Sequence, residues 1–180
     1  MTKGPVKETP PPKPEILFSE IQIAERVRAM AKQIAAAPVL PQIAMPILVG
    51  GFVFAADLVR ALAEEGVAME IEMLWLRSYG DKRVASAVSM IAGPSEDIIA
   101  GRDVLIIDGV LDMGRTIKKA TKLILAAGAA SVQVAVMLDK QRKDVVADYA
   151  GFAVGPEFVV GYGMDDAGKF RGLPYIGKVV

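Results

Sequence analysis

Ile23, Val27, Met30 and Ile34 recur at three- to four-residue intervals, the spacing of one buried helix face. Ser19-Glu20-Ile21-Gln22 stands ahead of them with capping-box spacing and Pro38 closes the run, so a helix is predicted between these points. Ile47-Leu48-Val49 is a short apolar strand ending in Gly50-Gly51. Phe52 to Glu65 returns to helical spacing and stops at Gly66, a usual glycine terminator. Val67 to Trp75 predicts another strand. From Leu76 to Ala100 no period holds, and Gly80, Gly93 and Pro94 interrupt it, which predicts a hairpin-like or mobile excursion. Val104 to Ile107 is apolar at every position, as expected of a strand covered on both faces. Ile117 to Ala127 reads as a helix ended by Gly128, with strands at Val132–Leu138 and Phe158–Val160.

Strands alternating with helices imply an α/β domain, a mostly parallel sheet flanked by helices with right-handed crossovers. Ligands of such sheets collect at the carboxyl ends of strands near a change in strand order. Gly50-Gly51, the segment 108–116 and Asp139-Lys140 all stand at such ends, so they are expected to line one site. No internal repeat and no second domain is visible. Residues 1–15 are proline-rich and mixed in charge with no apolar stretch, and read as a disordered tail ahead of a single domain over 16–180.

Composition narrows the chemistry. The chain has 180 residues, 53% of them apolar, enough for one substantial core. Lysine plus arginine equals aspartate plus glutamate at 21 each, leaving no footprint for nucleic acid or an anionic membrane surface. Residues 34–56 carry no charge and are long enough to span a bilayer. However, Pro38, Pro41, Pro46, Gly50 and Gly51 fall within them, and a lipid-exposed backbone so interrupted would be unpaired. No cysteine and no histidine occur. Thiolate chemistry, a Ser-His-Asp triad and histidine metal sites are excluded; proton transfer falls to carboxylates, lysine or tyrosine, and any metal is oxygen-ligated.

The densest chemistry lies in Asp108 to Thr116, expected to be a loop between the buried strand and the next helix. Gly114 permits close approach to an anion, Thr116 adds a hydroxyl, and the helix start supplies unpaired N–H groups and a positive dipole end. The spacing is not that of a Walker loop. Asp108 and Asp112 suit a ligand with hydroxyls, a magnesium ion or a proton to remove. An ordinary turn with Asp108 as a strand-end cap has the same local pattern. A receiver-like domain would place its acids after the first strand rather than mid-chain.

VLIIDGVLDMGRTIKKA, spanning this segment, resembles the phosphoribosyl-pyrophosphate loop of type I phosphoribosyltransferases. GGFVFAADLVRAL, Arg77-Ser78-Tyr79-Gly80 and DYAGFAVGPEFVVGYGMDDAGKFRGLPYIGKV narrow the resemblance to the hypoxanthine-guanine (6-oxopurine) branch, over about residues 16–180. That resemblance implies the type I fold with a small hood formed by the terminal segments. It also implies transfer between phosphoribosyl pyrophosphate plus a 6-oxopurine and the nucleotide plus pyrophosphate, with Mg2+, in a cytoplasmic homodimer or homotetramer.

Carried over by position, Asp112 is the proton partner at purine N7 and Asp108 binds the ribose hydroxyls. Met113, Gly114, Arg115 and Thr116 hold the 5′-phosphate. Lys140 donates to the 6-oxo group, Phe158 stacks on the purine, and Val159 offers its carbonyl to the ring edge. Gly50, Gly51 and Arg171 face pyrophosphate, Asp165 and Asp108 meet the metal, and Ser78 and Tyr79 start a mobile loop that closes over the site. Where the family most often has Glu-Asp in the loop, this chain has Asp108-Gly109; Met113 replaces a hydroxyl residue, Val49 a frequent lysine or arginine, and residues 81–93 lack the usual Ser-Thr-Gly run. These departures set beside the enzyme reading two alternatives: a nucleotide-binding protein without turnover, and a transferase for another base such as xanthine.

Overall fold

The capping box forms: Ser19 Oγ accepts the Gln22 N–H and Gln22 Oε1 accepts the Ser19 N–H, starting α1 (Glu20–Ala35). Its inner face, Ile23, Val27, Met30, Ala31 and Ile34, packs on α2 (Phe52–Glu64), which buries Phe54, Ala55, Leu58, Ala61 and Leu62. Both helices cover one face of a sheet. α4 (Arg115–Ala126) covers the other with Ile117, Ala120 and Ile124, joined by Ile99 of the short α3 (Glu96–Ile99). This computed structural model describes residues 13–79, 87–141 and 145–179, with 77–79 and 87–88 in backbone only.

The sheet explains the continuous apolar runs. β2 (Ile43–Leu48), β6 (Asp103–Leu111) and β7 (Ser131–Asp139) are parallel neighbours. Their alternate residues go to opposite cores: Ala44, Leu105, Ile107 and Ala135 to the α1–α2 side, Ile43, Met45, Val104, Ile106 and Val134 to the α4 side. β8 (Tyr149–Ala153) adds parallel to β7, and β4 (Leu74–Tyr79) adds parallel to β2. β5 (Ala87–Ala92) folds back antiparallel on β4, giving the order β5-β4-β2-β6-β7-β8. The chain builds outward in one direction from β2 and in the other from β6. The switch point therefore lies between them. A separate antiparallel sheet, β1 (Glu15–Phe18), β10 (Ile176–Lys178) and β9 (Val159–Val160), joins the two terminal segments as the expected hood.

Several expectations need correction. The strand expected at Val67–Trp75 is two pieces, β3 (Glu70–Ile71) and β4, in one continuous register on β2. The ladder lapses opposite Met45 and Pro46, and proline has no N–H to donate. The stretch expected as a loop from Asp108 is strand as far as Leu111, because β7 stays paired with it to Asp139; only Asp112–Gly114 form the turn. The strand expected at Phe158–Val160 shortens to Val159–Val160 and belongs to the hood rather than the main sheet. Glu15, assigned to the tail, pairs in β1 and meets Lys178 at 3.1 Å; residues 1–12 lie outside the described part. The uncharged run at 34–56 is the end of α1, β2 and the start of α2, and among the described residues no helix is long and apolar enough to cross a membrane.

Candidate active site

At the switch point the loop after β2 crosses the end of β6. The Gly50 carbonyl sits between two other glycines: a Cβ on Gly109 would lie 2.9 Å from it, and one on Gly163, where φ is +97°, would lie 2.6 Å away. Real side chains do not tolerate such contacts with backbone, so the three segments meet this closely only as glycines. Gly50 lines the cavity; Gly51 is not among its lining residues, and its N–H donates to the Ile47 carbonyl at 3.0 Å.

A cavity of about 470 Å³ opens here. Gly50, Asp108, Asp112, Thr116, Lys140, Phe158, Val159, Asp165 and Arg171 all line it, so the segments expected to share one site do so. Next to it a hollow of about 320 Å³ is walled by residues 110–117. It contains Met113, Gly114, Arg115 and Thr116 at the start of α4, whose first turn has no acidic residue to compete with an anion. Gly114 begins that helix at φ +67°, left-handed backbone that favours glycine.

The charged groups are arranged in pairs. Lys140 Nζ lies 3.2 Å from Asp112 Oδ2; the lysine side chain is only 10% exposed and the aspartate 43%. Lys140 is thus no solvated surface charge. Its backbone N–H donates to the Leu111 carbonyl at 3.0 Å, one residue before Asp112, so the strand ladder itself sets the two side chains side by side. Arg171 meets Asp165 Oδ1 at 2.5 Å and donates to the Gly163 carbonyl at 2.6 Å, while Asp165 Oδ2 accepts from the Gly168 N–H at 2.7 Å. Asp108 accepts one bond from the Gly109 N–H at 2.7 Å, and burial pushes its carboxyl up to about 7. Phe158 is 55% exposed on the cavity wall, an open ring face rather than a core aromatic. The Ser78 and Tyr79 backbones end β4, paired with Val88 and Ala87; their side chains, and residues 80–86, lie outside the described part.

The phosphoribosyl transferase domain family matches residues 16–167. A hypoxanthine-guanine phosphoribosyltransferase of Dictyostelium discoideum is 34% identical over 170 residues, 92% of this chain and 94% of that protein. A hypoxanthine phosphoribosyltransferase of Escherichia coli K12 is 32% identical over 92% of this chain and 95% of its own. The structure of a Staphylococcus aureus hypoxanthine phosphoribosyltransferase superposes with a TM-score of 0.83 at 31% identity, covering 92% of this chain and 91% of that one.

This chain belongs to the phosphoribosyl transferase family.

Within this phosphoribosyl transferase several cavity residues have no local sequence signal. Met164 and Leu76 reach the cavity from the hood turn and from β4, and Met164 Cγ would lie 3.2 Å from a Cβ on Gly109. Tyr162, next to the Gly163 junction, donates to Asp57 of α2 at 2.6 Å and so ties the hood to the helix. A larger hollow of about 690 Å³ between α1, α2 and residues 171–174 shares only Arg171 with the transferase's cavity. The acids Asp108, Asp112 and Asp165 and the paired Lys140 all line the smaller one, which is why the chemistry is assigned there.

Proposed function

We propose that this chain is a purine-salvage enzyme that transfers the phosphoribosyl group of phosphoribosyl pyrophosphate to a 6-oxopurine, hypoxanthine or guanine, giving the nucleotide and pyrophosphate. One observation carries the reading. A carboxylate able to accept a proton, Asp112, and a pure donor, Lys140, lie side by side in the cavity at the strand-order switch, which the exposed Phe158 also lines.

The purine lies against Phe158, with its ring edge toward the Val159 backbone. Lys140 donates to the 6-oxo oxygen and cannot accept from an amino group in its place, which discriminates against adenine. N9 attacks C1′ of the ribose as the C1′–O bond to pyrophosphate breaks. The bonding pair leaves with pyrophosphate, and the N7 proton passes to Asp112. Asp108 holds ribose hydroxyls and residues 113–116 hold the 5′-phosphate, with the α4 dipole behind it. Gly50 and Arg171 face the pyrophosphate.

Magnesium fits this donor set: the chain has no histidine or cysteine, and the carboxylates of Asp108 and Asp165 line the same cavity. No cluster of three acids stands ready among the described residues. Asp108 and Asp165 would hold a magnesium ion together with oxygens of the ligand, as is usual for this ion. When bound, it neutralises the charge that develops on pyrophosphate.

The departures at Gly109 and Met113 each remove one contact to a charged or hydroxylic ligand, at about 1.5–3 kcal/mol per charged hydrogen bond, or roughly ten- to a hundredfold in affinity. Weak phosphoribosyl pyrophosphate affinity is therefore expected. Self-association in a cytoplasmic homodimer or homotetramer belongs to the same reading. Exposed Ile71, Met73, Trp75, Met90 and Ile91 along β3–β5 support it, and sedimentation checks it. The decisive assay is magnesium-dependent formation of the nucleotide from phosphoribosyl pyrophosphate and hypoxanthine or guanine, with xanthine in competition. Absence of product from every oxopurine at high enzyme concentration sinks the proposal.

A further inference from the structure

We infer that the Asp112–Lys140 ion pair is a latch on the proton acceptor, opened by the ligand's own 6-oxo group, so that this chain selects its base in the chemical step as well as in binding. The inference rests on the function proposed above and adds a role for the contact between the two residues.

The group that takes the N7 proton and the group that reads the 6-position are bonded to each other at 3.2 Å. The contact is not an accident of two long side chains on a surface. Lys140 is nearly buried, and its backbone is bound to Leu111, the residue before Asp112. Asp139, next to Lys140 in the chain, accepts the Gln141 N–H at 2.7 Å, Asp165 is paired with Arg171, and Asp108 accepts the Gly109 N–H. Among the described residues the Lys140 ammonium therefore has Asp112 as its partner. A cation in so little water holds its counter-charge until another acceptor is offered.

A 6-oxo oxygen is such an acceptor. When it takes a hydrogen from the ammonium, Asp112 Oδ2 turns to the neighbouring N7–H. A purine with hydrogen at position 6 offers nothing to the lysine, and Asp112 stays on it. The acceptor needed for N7 is then withheld from a base that is otherwise correctly stacked.

The two roles for Lys140 predict opposite signs in one experiment. The probe is unsubstituted purine, with phosphoribosyl pyrophosphate and magnesium, followed as the single-turnover rate on wild type and on Lys140→Met. A lysine that only donates to the 6-oxo group has no contact with unsubstituted purine, so its removal leaves that rate unchanged. A latch predicts that the rate with purine rises about fivefold, the equivalent of one partly exposed ion pair, while kcat/KM with hypoxanthine falls. Thermal unfolding and retained phosphoribosyl pyrophosphate binding establish that the variant is folded, and Lys140→Gln is read in the same way if the methionine variant is not. An unchanged or lower purine rate in a folded variant overturns the latch. If wild type turns over hypoxanthine, that outcome leaves the proposed function standing; if wild type fails with every oxopurine, the function itself is lost.

Discussion

Gly109→Asp installs the second loop carboxylate that members of this family most often carry, and on ligand chemistry alone it should tighten ribose and metal binding. The packing at the switch point predicts the reverse. A Cβ at 109 meets the Gly50 carbonyl at 2.9 Å and Met164 Cγ at 3.2 Å. The methionine can yield by a rotamer change, but the carbonyl is backbone and is already closely approached by Gly163 as well. Overpacking of this kind costs about 1–3 kcal/mol. For a chain of this length that is a fall in Tm of about 3–10 °C. The displaced carbonyl belongs to the loop proposed to face pyrophosphate, so KM for phosphoribosyl pyrophosphate should rise, by roughly tenfold for about 1.4 kcal/mol of lost contact. Gly109→Ala isolates the steric part from the charge. Differential scanning calorimetry and initial-rate kinetics on both variants test this. A Gly109→Asp protein with unchanged Tm and a lower KM would refute it and show the loop to be free to move.

Asp112→Asn keeps the shape of the site and removes the proposed proton acceptor, so kcat should fall by about 10²–10⁴ with nucleotide affinity little changed, read by stopped-flow kinetics and calorimetry. Asp108 gives a pH dependence of defined sign. Its folded-state carboxyl lies at about 7 against an ordinary 3.8, so the fold favours the protonated form. The stability this contributes is fully present below about pH 4 and lost as pH rises through about 7, at most about 4 kcal/mol. Urea midpoints at pH 5 and 8 should differ more for wild type than for Asp108→Asn, and equal differences would remove Asp108 as the cause. Tyr162→Phe deletes the 2.6 Å bond to Asp57 and should cost about 1–2 kcal/mol in urea unfolding, with KM for phosphoribosyl pyrophosphate raised through the adjoining Gly163–Arg171 contact.

The helices were legible because their signals are local. Ser19 and Gln22 cap α1 within one turn, and Gly66 and Gly128 stop α2 and α4 with backbone at φ +82° and +86°. The run at 104–107 announced a buried parallel strand because each residue faces one of two cores. The charged residues that converge on the cavity were legible too, since the chemistry of Asp108, Asp112, Lys140, Asp165 and Arg171 and the order of their motifs are properties of the chain.

What the tertiary structure decided is where two distant segments meet. Strand β6 continues past Asp108 only because β7 stays alongside it, and Val159–Val160 joins the hood only because both terminal segments meet there. Gly51 looks like an anion-binding glycine until its N–H is seen bonded to Ile47, and Gly109 looks like a missing carboxylate until Gly50 and Met164 are found against it. The pairing of Asp112 with Lys140 has the same origin. Spacing along the chain specifies periodicity, caps and candidate chemistry, but a contact between residues 28 positions apart depends on strand order and register, which only the assembled sheet sets.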